Sequence, residues 1–230
     1  MNVVSIMGIL SAFAFLIPVC VIIIHRLFTI KSLLALLINL FITALYNLMR
    51  VDIIITPDEW ESNFKIFGNY LEVPLMLTTL LFFCTTSRCK KIINLSLYSF
   101  ICYELVVTFV FGLNTVALKY IMGPGILILF VHSCYLFSHS VKVSFKKERR
   151  FGKLLIIAAI LFAYGCYGMI YCFIYLLKST ATNDIFLIYD IASLFASMLM
   201  GIGLIIYCRR VIHIKELLQT RKELQAFFES

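Results

Sequence analysis

Three carboxylates, Glu72, Glu104 and Asp190, fall inside long apolar stretches of a 230-residue chain. An ionisable group in such a place is costly, and it is commonly kept for binding, proton transfer or charge movement. No arginine or lysine other than Lys119 is expected at their depth, so each acid is read as protonatable rather than permanently charged. The plainer reading of each is helix glue, a protonated carboxyl bonded to a nearby carbonyl or hydroxyl. His132 stands apart from the acids and reads as a packing residue. The cysteines, Cys20, Cys84, Cys89, Cys102, Cys134, Cys166, Cys172 and Cys208, show no C-x-x-C spacing, so neither structural disulfides nor a zinc site is expected. Cys84, Cys89 and Cys208 read as small buried hydrophobes or as acylation sites near the inner leaflet.

The composition states what must hold these groups. Hydrophobic residues make up 62% of the chain and charged residues 14%, with a mean hydropathy of +1.01. A soluble globule stays near one half apolar, so the chain reads as an integral membrane protein. Apolar runs read as crossings of about 30 Å of hydrocarbon occur at Val3 to Ile24, Ser32 to Leu48, Tyr70 to Cys84, Ile92 to Leu113, Val116 to Phe137, Leu154 to Leu177 and Ile185 to Cys208, the third being short and polar-flecked. The first lacks the basic leader of a secretory signal and is read as a span. The expected architecture is an all-α bundle of seven transmembrane helices, residues 1–208, followed by residues 209–230. In that tail Ile214, Leu217 or Leu218, Leu224 and Phe228 recur at helical spacing, which predicts a cytoplasmic amphipathic helix.

Basic residues set the expected orientation, because lysine and arginine resist translocation. Of the twenty, only Arg50, Lys65, Lys119 and Lys178 lie on the side of the N-terminus, and the other sixteen lie opposite. The N-terminus is therefore expected outside and the C-terminus in the cytoplasm of a multi-pass protein of the cell membrane. The net charge of +8 is placed where topology puts it, facing an anionic inner leaflet rather than nucleic acid. Residues 139–153, with Lys146, Lys147, Arg149 and Arg150, and the C-terminal helix are candidate surfaces for a cytoplasmic partner. Lying along the inner leaflet and pairing with a second copy are the other options for the tail. The loop from Val51 to Asn69 is expected as a small outer cap, with Trp60 at the headgroup level.

In this orientation Glu72, Asp190 and Glu104 are expected about 6, 10 and 12 Å below the outer boundary, at 1.5 Å per residue. Ser193, Ser197 and Gly201 continue a small-residue stripe from Asp190, which predicts a close helix neighbour. Pro18, Pro74 and the Gly123-Pro124-Gly125 run should kink the first, third and fifth helices and open space near Pro74 and Pro124.

The arrangement resembles the microbial rhodopsins. Tyr70-Leu71-Glu72 with Thr78 and Thr79 is similar to the Arg-Tyr-x-Asp-Trp stretch of that family. Tyr164-x-x-Tyr167-Gly168-x-x-Tyr171 resembles its Trp-x-x-Tyr-Pro-x-x-Trp ring, and Asp190-Ile191-Ala192-Ser193-Leu194 resembles its Asp-x-x-x-Lys signature. The resemblance implies an opsin-like bundle with Glu72 at the proton-acceptor position and the tyrosines around a pocket. Four positions depart from the pattern: Asn69, Val73, Gly168 and, above all, Leu194 in place of the lysine. Covalent retinal is therefore not expected, and no other cofactor is.

The candidate ligand- or proton-binding residues are Glu72, Asp190, Glu104, Tyr70, Tyr164, Tyr167 and Tyr171. Met76, Phe162 and Met198 are candidate apolar walls. The function expected first is a sensor, signalling or accessory protein whose outer-half acidic cluster responds to ligand or protons. A proton-coupled transporter or ion-conducting protein is the alternative, and the membrane input module of a sensor kinase is another. One histidine at membrane depth and no paired cysteines argue against an intramembrane enzyme.

Overall fold

The computed structural model describes the backbone of residues 3–146, 151–177 and 182–229, and the side chains of 5–57, 59–142, 151–177 and 184–212. Lys147, Arg149 and Arg150 lie outside the described residues, and of Lys146 only the backbone is described. Seven helices follow one another: α1 (Val3–Ile24), α2 (Lys31–Arg50), α3 (Asp58–Leu80), α4 (Ser87–Phe111), α5 (Thr115–Lys146), α6 (Phe151–Tyr171) and α7 (Thr182–Glu229). No strand occurs among the described residues, and all seven helices contain a stretch long and apolar enough to span a membrane.

Local chemistry explains the boundaries. Thr86 caps α4 by accepting from the Cys89 amide at 3.3 Å, and Gly112, at a φ of 77°, ends the same helix in a conformation that an L side chain resists. Asn114 caps α5 by accepting from the Ala117 amide at 2.9 Å. A single π-helical turn, Cys172–Leu176, closes the membrane stretch of α6.

Two helices differ from expectation. α3 begins at Asp58, directly after Pro57, so most of the expected outer cap is helix. Its membrane stretch runs from Glu59 to Phe83, which moves Glu72 from near the boundary to the middle of the span, about 20 Å along the axis from Glu59. α7 continues without a break to Glu229, 48 residues in all and therefore about 70 Å long.

Short connections make successive helices antiparallel neighbours. α7 packs between α1 and α6, the ring closes through α2, α3 and α5, and α4 leans on α3 and α5 from outside. Leu105, Val106 and Phe109 of α4 therefore face outward, as lipid-facing residues do. Where α6 meets α7 the backbones nearly touch: a Cβ on Gly152 would lie 2.7 Å from the Gly203 carbonyl oxygen and the Tyr207 nitrogen. Hereafter the N-terminal face is the end of the bundle holding the start of α1, the α2–α3 turn and the start of α7.

At the opposite end, the turn between α3 and α4 places the Cys84 and Cys89 sulfurs 3.0 Å apart. The residues lie five apart, outside C-x-x-C spacing. Both are free thiols.

Candidate functional site

Tyr164, Tyr167, Tyr171 and Tyr175 recur at spacings of three and four, which keeps them on one face of a helical segment. That face of α6 and its π-turn points into the bundle. The Tyr164 hydroxyl donates to Glu72 Oε1 at 2.8 Å. Tyr167 stands edge-on to Tyr164 with ring centroids 5.6 Å apart, bonds Ser193 of α7 at 3.0 Å and stacks on Tyr189 at 5.4 Å. Tyr171 donates to the Lys119 carbonyl at 2.8 Å. Gly123 makes this approach possible, because a Cβ there would lie 2.6 Å from the Tyr171 hydroxyl.

Pro124 supplies the reason that tyrosines crowd α5. Having no N–H, it leaves the Tyr120 carbonyl without its helical partner, and an unpaired carbonyl is costly in hydrocarbon. The Tyr103 hydroxyl of α4 donates to that oxygen at 2.9 Å. The carbonyl that Pro124 leaves free is thus satisfied by a neighbouring helix.

Asp190, 1% exposed, does have a cationic partner. Its Oδ1 is ion-paired with Arg50, the last residue of α2, and lies 3.0 Å from the Ser11 hydroxyl of α1. This corrects the expectation that only Lys119 could reach the carboxylates. Arg50 falls on the sparsely charged side and was counted as a loop residue, yet its long side chain turns back along the helix into the bundle. The guanidinium lies 5.4 Å from the Phe186 ring centroid and 5.3 Å from that of Tyr189, and Asn47 donates to the Tyr189 hydroxyl at 3.4 Å.

Between α2, α3, α5, α6 and α7 lies a cavity of about 270 Å³. Glu72, Tyr164, Tyr167 and Tyr171 line it, as do Arg50 and Met76. The exposed Lys65 and Phe186 belong to its wall, so it reaches the N-terminal face. Its lining extends along α2 from Arg50 to Leu36 and along α7 from Phe186 to Met200, which makes it about 20 Å long at 1.5 Å per residue. Asp190 is not in the wall, although its partner Arg50 is. Leu194 is not in the wall either; on α7 that surface is made by Phe186, Tyr189, Ala196, Ser197 and Met200.

Glu104 and Tyr70 fall elsewhere, between α3 and α4. The Thr108 hydroxyl lies 2.7 Å from the Glu104 carbonyl oxygen and 3.2 Å from the Tyr70 hydroxyl, while Glu104 Oε1 is buried without a partner. No hydrogen bond among the described residues joins the three carboxylates: Glu72 lines the cavity, Asp190 pairs with Arg50, and Glu104 lies between α3 and α4. Phe162 and Met198 are 43% and 48% exposed and do not line the cavity; they occupy the outer faces of α6 and α7. His132 bonds Ser96 of α4 at 2.9 Å. No group of three or more His, Cys, Asp and Glu side chains suited to a metal occurs among the described residues.

Sequence reasoning missed Arg50, Tyr46, Tyr175 and Tyr189, all in the cavity wall. Tyr189 had a signal, since it precedes Asp190 and lies three residues past Phe186.

Comparisons of the chain with protein-family models, with curated proteins and with solved structures find no match. The likeness to microbial rhodopsins rests on the residues quoted for it.

Proposed function

We propose that this protein is a receptor-like sensor of the cell membrane, with the N-terminal face outside, in which a small molecule entering the cavity acts on α7. The observation that carries the reading is that one wall joins the cavity to α7 through side chains already in contact. Arg50 touches the cavity, stacks on Tyr189 and holds Asp190, and Tyr167 binds Ser193. A ligand displacing Arg50 or Tyr189 changes the seating of α7, and the same helix continues to Glu229 beyond the opposite face. Differential contact of this kind is what any ligand-driven shift requires.

The basic segment 139–153 and the end of α7 then form the surface offered to a cytoplasmic partner, or to the output part of a sensor of which this is the membrane module. The opsin-like arrangement is part of the same reading: Glu72 and the three tyrosines that the resemblance names share one cavity. A proton-coupled carrier is less well supported. Beyond Glu72 the bundle centre closes on Leu77, Leu80 and Leu204, all fully buried, and no carboxylate continues the path among the described residues there.

The test is hydrogen exchange of α7 in lipid nanodiscs. A small molecule that raises the melting temperature should slow exchange in residues 184–212 and alter it in 213–229, and Arg50→Gln should uncouple the two segments. Bound ligand with unchanged α7 exchange, or proton flux into liposomes lost in Glu72→Gln, would overturn the reading.

A further inference from the structure

The cavity wall holds one carboxylate, Glu72, and two cations toward the mouth, Arg50 and Lys65, neither of which bonds Glu72 among the described residues. Among the described residues the sole ion pair is that of Arg50 with Asp190, so the cationic residue nearest the aromatic wall is already neutralised. Lys65 is exposed at the rim. Glu72 meets a single hydrogen-bond donor, the Tyr164 hydroxyl.

Around it the wall is aromatic to an unusual degree: Tyr46, Tyr164, Tyr167, Tyr171, Tyr175 and Tyr189 all line the same space. Ring faces carry negative quadrupole potential and attract organic cations, most of all where water is excluded. The rings at the mouth already show this preference, since Arg50 lies over both Phe186 and Tyr189. Past Glu72 the lining turns apolar, with Leu36, Leu40, Met76, Ile160 and Met200. The cavity is long and narrow rather than round.

We propose that the ligand is a hydrophobic organic cation, an amine or quaternary ammonium on an apolar chain, whose charge pairs with Glu72 inside the ring of tyrosines. This rests on the ligand-sensing reading above. An ammonium supplies the counter-charge that Glu72 lacks, and its alkyl groups meet ring faces rather than water. An anionic head is disfavoured, because Glu72 repels it and Arg50 is committed to Asp190. From the cation the apolar chain runs inward, past Glu72, against Leu36, Leu40, Met76, Ile160 and Met200.

The experiment uses the full chain in nanodiscs of neutral lipid and three labelled probes of equal length: octyltrimethylammonium, octanol and octanoate. Empty nanodiscs report partition into lipid. The ammonium should bind saturably at one site per protein, tighter than octanol by at least about tenfold, with octanoate weakest. Glu72→Gln should remove that preference, bringing the ammonium down to the affinity of octanol, and Glu72→Asp should retain it. Ala163→Phe, which fills the wall, should abolish binding of all three.

Octanol binding as tightly as the ammonium, or a preference that survives Glu72→Gln, overturns the cationic ligand and leaves the cavity reading standing. Failure of every probe to saturate a folded wild-type protein overturns both. Should Glu72→Gln not fold, the wild-type ranking and its retention in Glu72→Asp decide the matter.

Discussion

Arg50, the last residue of α2, and Asp190, in the third turn of α7, form the one ion pair among the described residues, and they tie together helices 140 residues apart in sequence. Asp190 is 1% exposed and Arg50 15%, so the pair is shielded from water. Removing one partner strands the other charge. Arg50→Leu or Asp190→Leu should each destabilise the protein by about 3–5 kcal/mol, while the double variant that carries both should recover most of that loss. Thermal unfolding of the four species in detergent supplies the cycle, and additive losses would contradict a direct pair.

Tyr164 and Glu72 make a second, independent test. The Tyr164→Phe change keeps the ring packed on Tyr167 and deletes only the donor to Glu72 Oε1, so the expected cost is about 1–3 kcal/mol. In the Glu72→Leu background the same change should cost little, because nothing is left for the hydroxyl to meet. Infrared difference spectra between wild type and Tyr164→Phe should show the carboxyl band of Glu72 displaced. An unmoved band would place the Tyr164 hydroxyl elsewhere.

Pro124 in α5 predicts a coupling between two helices. Tyr103→Phe strips the donor from the Tyr120 carbonyl that Pro124 leaves unpaired, and should cost about 1 kcal/mol or more in wild type. In the Pro124→Ala background residue 124 regains an N–H that can bond Tyr120, so Tyr103→Phe should then be nearly neutral. Equal costs in both backgrounds would mean that the tyrosine does not serve the proline.

Much of this was readable before any coordinates, and the reasons for the failures are specific. Seven spans follow from hydropathy because the loops are too short to blur them. The tyrosines of α6 were legible because spacings of three and four fix a common face whatever the neighbours are. The start of α3 was not, since Asp58, Glu59, Glu61 and Lys65 dilute the apolar signal although they are compatible with helix after Pro57. Arg50 was missed for a different reason: topology counts assign a basic residue at a helix end to the loop, and the turn of a flexible side chain is decided by a partner on a distant helix. Whether Glu72, Glu104 and Asp190 converge depends on the rotation of three helices about their own axes. That is set by packing, such as Gly125 against Val73 and Phe100, and no single helix encodes it.

The contact of α6 with α7 gives the sharpest steric test. A Cβ on Gly152 would fall 2.7 Å from two backbone atoms of α7 and 3.1 Å from the Tyr207 Cα, and backbone cannot rotate away as a side chain can. Gly203 is its counterpart, with a Cβ meeting the Gly152 carbonyl oxygen at 2.9 Å. Gly152→Ala should therefore push the helices apart and cost about 1–3 kcal/mol, as overpacking does. Gly165→Ala is the control on the same helix, where the nearest atom is a Phe130 ring carbon at an ordinary 3.4 Å. There the gain in helix propensity should make the change neutral or stabilising by up to about 1 kcal/mol. Because the same seam seats α7, Gly152→Ala should also alter hydrogen exchange along residues 184–212, and Gly165→Ala should not. Similar melting temperatures and exchange for the two variants would mean that α6 and α7 do not meet backbone to backbone.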